Sequence, residues 1–186
     1  MEKRIEKKKQ VHQKIVNAAK EIFSKRGFNE TSMQEIASAA GVSKGLLFWY
    51  FHNKDELILE VARSSLPDKL IRSCLDQKTE GIELLRNIGM KFLEKYSNDA
   101  ERSLFLNVLS LRGQYPEIAS TVFKVCSSLV EQVAERVFGN STIENVIKVR
   151  AFMGGLMCYV INPLELSEEE YVNNLIRGIN EQKIVD

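Results

Sequence analysis

Apolar positions recur at the helical period along the chain. Val11, Ile15, Ala18, Ala19, Ile22 and Phe23 form one stripe, and Gly27 stands where a helix C-terminal glycine belongs. Thr31-Ser-Met-Gln-Glu35 then offers two overlapping capping boxes, Thr31 with Gln34 or Ser32 with Glu35. Met33, Ile36, Ala37 and Ala40 make a short second stripe that ends at Gly41. Ser43 caps a third helix running to about Phe51, and Asn53-Lys-Asp starts a fourth with Leu57, Ile58, Val61 and Ala62 on its face.

Pro67, Pro116 and Pro163 all fall between periodic segments, as a residue lacking its backbone N–H should. The spacing between them predicts further helices at 67–77, 80–97, 99–112, 116–138, 142–161 and 167–181. Gly139 reads as a helix stop, and Ser167 with Glu170 as another capping box. No segment alternates apolar and polar residues as a strand does, and no fixed-period repeat is evident. The expected fold is all-α.

With 186 residues, 44% hydrophobic and 27% charged, the chain has ordinary globular composition and enough apolar material for a core. The longest uncharged apolar run, Ala151 to Ile161, is shorter than the ~18 residues of a membrane span. Met1 to Gln10 is charged with no apolar segment behind it, so no secretory leader is expected and the location should be cytoplasmic. Cys74, Cys126 and Cys158 are far apart and lie in helical patterns, where small buried hydrophobes are expected. With His12 and His52 the only histidines, no metal site or cofactor is expected.

The net charge of +1 hides a split. Residues 1–54 carry eleven Lys/Arg and five Glu, net +6, while residues 55–186 carry fifteen Lys/Arg and twenty Asp/Glu, net −5. A basic first third on an acidic body points to a polyanion partner for one part only. The run Lys3, Arg4, Lys7, Lys8, Lys9 reads equally as a solvated tail.

Residues 31–51 are a short helix, a turn holding Gly41, and a second short helix: the helix-turn-helix plan, whose second helix enters a DNA major groove. At ~100° per residue, Lys44, Gly45, Phe48, Trp49 and His52 share one arc of roughly 140°. Leu46, Leu47, Tyr50 and Phe51 occupy the opposite arc, the expected buried face. The first arc then presents Phe48 and Trp49 beside a cation, and such an exposed aromatic patch calls for a partner. A DNA groove supplies one, through phosphates, an indole N–H donor and thymine methyls. The alternatives are that these rings pack under neighbouring helices, or that they anchor a protein partner, making the chain a helical protein–protein adaptor with no DNA target.

Gly41-Val-Ser-Lys-Gly-Leu-Leu-Phe-Trp-Tyr-Phe-His-Asn-Lys54, with Gly27-Phe and Thr31-Ser-x-x-x-Ile-Ala37 upstream, resembles the DNA-binding domain of the TetR family of transcriptional regulators over residues 10–60. The resemblance implies an N-terminal three-helix domain at 1–54 and a C-terminal helical domain for effector binding and dimerisation at 55–186. It places Lys44, Phe48, Trp49 and Tyr50 at the groove, and Ser32, Gln34 and Lys54 near the backbone or neighbouring bases. With Ser43, Gly45 and His52, these complete the candidate double-stranded DNA contacts. Tyr50 is thus assigned both to the buried arc and to DNA, which an amphipathic ring with a wet tip can reconcile. At Leu46 the family more often has Thr or Ala, and at Phe48 it has Tyr. These departures remove hydroxyl contacts.

One short helix in a groove gives little specificity, so two-fold dimers with half-sites about 34–36 Å apart are expected. Ala151, Gly154, Gly155 and Cys158 form a small-residue stripe suited to close helix approach. With Tyr171, Leu175 and Ile179 of the last helix they make the candidate homodimer interface; closing a monomeric core is the alternative. Met90, Phe92, Leu93, Phe105, Leu109, Phe123, Cys126, Met153 and Met157 are either plain core or the lining for a small hydrophobic effector, with Arg102 and Arg112 available to an anionic head. The fourth helix is the expected lever between the two parts. The sequence holds no Gly-x-Ser-x-Gly, phosphate loop or Cys/His pair in a catalytic context, so no enzyme is expected. The implied function is a ligand-responsive regulator, commonly a repressor.

Overall fold

The computed structural model describes the backbone of residues 2–180 and the side chains from Ile5 onward. The predicted end of the last helix at residue 181, and the side chains of Lys3 and Arg4, lie outside the described residues. Every regular element among them is helical: α1 (Glu2–Arg26), α2 (Met33–Ala39), α3 (Lys44–Tyr50), α4 (Lys54–Ser65), α5 (Asp68–Leu75), α6 (Gly81–Ser97), α7 (Asp99–Ser110), α8 (Pro116–Lys124), α9 (Val130–Phe138), α10 (Ile143–Ile161) and α11 (Glu168–Asn180). The single helix expected at 116–138 is broken at Val125–Leu129 by a π-helical turn. The first helix starts earlier than its apolar stripe suggested, at Glu2 rather than Val11.

Local chemistry sets most boundaries. Of the two possible capping boxes before α2, the chain uses the second: Ser32 Oγ accepts from the Glu35 N–H, and Glu35 Oε2 accepts from the Ser32 N–H at 2.8 Å. Thr31 is turned away, its hydroxyl donating to the Gly27 carbonyl at 2.9 Å. Ser43 and Asn53 cap α3 and α4 through the N–H groups of Leu46 and Glu56. The Ser167–Glu170 box starts α11.

Contacts divide the chain into two compact units: the N-terminal residues through Leu66 with Asp99–Ala119, and Pro67–Asn98 with Ser120 onward. The cut therefore differs from a boundary at 54/55. Leu57, Ile58, Val61 and Ala62 bury α4 against α1 and α7, so α4 belongs with the first unit. In that unit, α1 lies across α2, α4 and α7, with Ile15, Ala19 and Phe23 fully buried. Lys20 on α1 pairs with Glu101 on α7 at 2.9 Å. Tyr115 donates to Asp55 Oδ1 on α4 at 2.6 Å, and burial followed by that neighbouring carboxylate pushes its phenol up to about 12.

The second unit is built around α6, which packs on α5, α9, α10 and α11. Gly89 permits this: a Cβ there would meet Val172 Cγ1 at 2.9 Å and Phe152 Cζ at 3.0 Å. Arg136 ties the end of α5 in place, donating to the carbonyls of Leu75, Gln77 and Thr79.

Candidate nucleic-acid interface

The turn between α2 and α3 needs a left-handed residue, which Gly41 supplies at φ +64°. The Val42 N–H then bonds back to the Ala37 carbonyl, closing the corner at 3.0 Å. From Ser43, α3 runs seven residues and has one fully buried side chain, Leu47. This anchor fixes the rotation of the helix and leaves Lys44, Gly45, Phe48 (37% exposed) and Trp49 (59%) facing outward, as the helical arc predicts.

Two positions depart from that arc. Leu46, expected inside, is 39% exposed, because so short a helix rests on Leu47 and Phe51 and covers a narrower face than the arc assumed. The helical angle does not carry as far as His52, since Phe51 has already left the helix at φ −136°, ψ 109°. His52 is exposed in the turn that follows, its backbone N–H donating to Glu56 Oε2 at 2.8 Å. That backbone bond, then the imidazole, lowers the Glu56 carboxyl.

Tyr50 is half-buried, and its hydroxyl donates to the Lys8 carbonyl at 3.1 Å. Its proton is thus spent on α1, while the oxygen lone pairs remain. Trp49 stands edge-on to Tyr50, ring centroids 4.8 Å apart, with the Lys8 ammonium 4.7 Å from the indole centroid. The Lys44 ammonium lies 6.0 Å from the Phe48 ring. Sequence reasoning missed Lys8, although Ile5 and His12 continue a helical spacing through the basic run and signal a structured helix start.

Around this face, Ser32, Gln34, Ser43, Lys44 and Gly45 are all exposed. The Ser32 hydroxyl is engaged with Glu35, whose carboxyl is held down to about 2 by the Ser32 N–H, the Ser32 hydroxyl and the Arg26 guanidinium. Lys54 begins α4 and donates to the Asn29 carbonyl at 3.3 Å.

The other candidate sets divide. On α10, Ala151, Gly154 and Cys158 are exposed, in line with Ile143, Ile147 and Ile161. Gly155 is instead taken up within the chain: a Cβ there would stand 2.6 Å from Leu175 Cδ2, and Tyr171 donates to its carbonyl at 2.8 Å. Gly155, Tyr171 and Leu175 therefore join α10 to α11 and are half-buried, and Ile179 is buried beside them; Tyr171, Leu175 and Ile179 still line an open groove with Ile147 and Ala151. Of the effector candidates, Phe92 and Leu93 are closed into the core of the second unit and Phe105 into that of the first. Met90, Leu109, Met153 and Met157 are half-buried, while Phe123 (72% exposed) and Cys126 face outward. Cys158 is exposed too, so of the three cysteines only Cys74 is the buried hydrophobe expected. The helical period fixed which residues share a face and left open which face is covered.

Among the described residues no cluster of His, Cys, Asp and Glu is placed to hold a metal ion. No described helix is long and apolar enough to cross a membrane.

Residues 15–61 match the bacterial regulatory proteins of the tetR family. The chain is 24% identical over 151 residues to the HTH-type transcriptional regulator AcrR of Shigella flexneri, a match covering 80% of this chain and 69% of AcrR. It is 23% identical over 186 aligned positions to the uncharacterized HTH-type transcriptional regulator YuxN of Bacillus subtilis, covering 90% of this chain and 64% of YuxN. The chain thus spans about two thirds of the length of these curated relatives. In fold it is similar to AibR, solved in complex with isovaleryl coenzyme A and operator DNA, with a TM-score of 0.67, 17% identity, and coverage of 89% of this chain and 96% of that one. The relatives are named as transcriptional regulators, which agrees with the expectation that the chain is no enzyme. With the glycine turn, the outward aromatic helix and this likeness together, residues 15–61 are a helix-turn-helix domain that matches the tetR family of bacterial regulatory proteins.

Proposed function

We propose that the chain binds a palindromic DNA operator as a homodimer, acts as a repressor, and releases the operator when a small hydrophobic effector binds. The observation that carries DNA binding is the outward face of α3, where Lys44, Phe48 and Trp49 are presented by the buried Leu47. A helix with its aromatic rings held toward solvent beside a cation matches what a major groove accepts. Ser32, Gln34, Ser43, Gly45, Tyr50, His52 and Lys54 complete the candidate contacts. DNA reading is assigned to residues 1–54, and effector binding and dimerisation to 55–186.

Dimerisation is supported by the exposed α10 line of Ile143, Ile147, Ala151, Gly154, Cys158 and Ile161. An apolar stripe of this kind is costly to leave in water, and a second copy meets it with the same small residues. The effector is assigned to the C-terminal helices, with half-buried Met90, Met153 and Met157 as its adaptable contacts. AibR, solved with an acyl thioester and operator DNA together, supports an apolar effector carrying an anionic head. The effector lowers operator affinity by as much as it prefers the released arrangement.

A gel-shift titration against the DNA upstream of the chain's own coding sequence, at two salt concentrations, tests the core reading. Saturable, palindrome-dependent binding is expected. Binding that ignores sequence, or none, refutes it. A monomer at micromolar concentration in sedimentation refutes the dimer.

A further inference from the structure

The first turns of α1 carry chemistry that the helix-turn-helix does not account for. Ile5, Lys8, Lys9, His12 and Gln13 fall at i, i+3, i+4, i+7 and i+8, one stripe of the helix. From Ile5 onward this stripe holds no carboxylate; Glu6 falls at its margin, where Gln10 reaches it. Together with Trp49 and Tyr50 it lines a groove of about 650 Å³. Lys8 and Lys9 are exposed.

The groove is held open from both sides. Tyr50 donates to the Lys8 carbonyl, and His12 packs against Tyr50 and Phe51 with ring centroids 6.0 and 5.1 Å away. The start of α1 is thereby fixed to the end of the recognition helix. A bare helix start of this composition would fray, because its first N–H groups have no partners. Here, anchoring carries cations alongside the aromatic face that meets DNA.

We propose that this stripe is a second DNA contact, in which Lys8 and Lys9 bind phosphates of the duplex flanking the segment under α3, with Trp49 and Tyr50 positioning them. It rests on the DNA-binding reading above. Charge complementarity and continuity with the α3 face select duplex DNA as the occupant of the groove. The contact adds affinity and register, while base choice stays with α3. Tyr50 acts here as a positioning residue, through α1.

The test uses the full chain and labelled operator duplexes with short and with extended flanks, measured by fluorescence anisotropy across a salt series. Each phosphate neutralised steepens the slope of log affinity against log salt by about 0.9, so Lys8→Gln with Lys9→Gln should flatten it by about two units per subunit. Extended flanks should strengthen wild-type binding and leave the double variant unchanged. Lys7→Gln removes one charge from the opposite side of α1, as Lys9→Gln alone does from the stripe, and should keep the flank dependence that Lys9→Gln reduces. Tyr50→Phe keeps the ring, frees the Lys8 carbonyl, and should reduce the flank dependence with both lysines present. Trp49 is the chain's only tryptophan, so its emission in the absence of DNA reports the Lys8 contact directly and should change in Lys8→Gln.

If wild-type protein binds its operator but the double variant keeps the wild-type slope and flank dependence, this proposal is overturned while the DNA-binding reading survives. A Lys7→Gln effect equal to that of Lys9→Gln overturns the assignment to this stripe. Wild-type protein that binds no duplex overturns both.

Discussion

Gly41 and Gly45 lie four residues apart, and Ala at the two positions should move stability in opposite directions. At both, a Cβ would meet nothing within 4 Å, so neither substitution creates a clash. At Gly41 the backbone is left-handed, φ +64°, which costs an L-residue about 1–2 kcal/mol. The stiffer unfolded chain of the Ala variant returns about 0.4–1 kcal/mol, leaving Gly41→Ala less stable by about 1 kcal/mol. Gly45 is in the first turn of α3 with an ordinary backbone, where Ala is favoured by about 0.5–1 kcal/mol. Urea titration followed by Trp49 emission reports the helix-turn-helix itself. At a slope of about 2 kcal/mol/M, the midpoint should fall by about 0.5 M in Gly41→Ala and rise by about 0.25–0.5 M in Gly45→Ala. The stabilised Gly45→Ala should nonetheless bind operator more weakly, because its new methyl projects from the exposed face of α3. A Gly41→Ala midpoint at or above wild type, or a lowered Gly45→Ala midpoint, would refute the reasoning.

Leu47→Ala removes the one fully buried side chain of α3 and should cost about 2–5 kcal/mol in urea unfolding, with operator binding lost at temperatures where the rest of the chain stays folded. Glu35 is held down to about 2, below its usual 4.5, so it stabilises the fold above pH 4.5 and loses that contribution as pH falls toward 2. Glu35→Gln should therefore flatten the dependence of the urea midpoint on pH across that window, and an unchanged profile would count against the capping box. Gly155→Val forces a branched side chain against Leu175 and should destabilise the second unit by about 1–3 kcal/mol, seen as a lowered melting temperature by circular dichroism. Lys54→Ala should weaken binding to all duplexes alike and flatten the salt slope by about one unit, while an unchanged slope would remove Lys54 from the phosphate contacts.

The helices and their ends were legible in the chain alone, because each depends on groups within a few residues. Ser43, Asn53 and Ser167 cap helices from local hydrogen bonds, and Gly27, Gly41 and Gly139 adopt positive φ where stops and turns were expected. The outward arc of Lys44, Gly45, Phe48 and Trp49 follows from the same helical period. What the period leaves open is which side of a helix a remote segment covers. Only the tertiary packing turned Leu46 outward, spent the Tyr50 proton on Lys8, and filled the space over Gly155 with Leu175. It also exposed Cys126 and Cys158 and drew α7 onto α1 and α4. Hydrogen bonding along the backbone is a short-range property that a sequence carries openly, whereas burial depends on surfaces contributed by residues dozens of positions away.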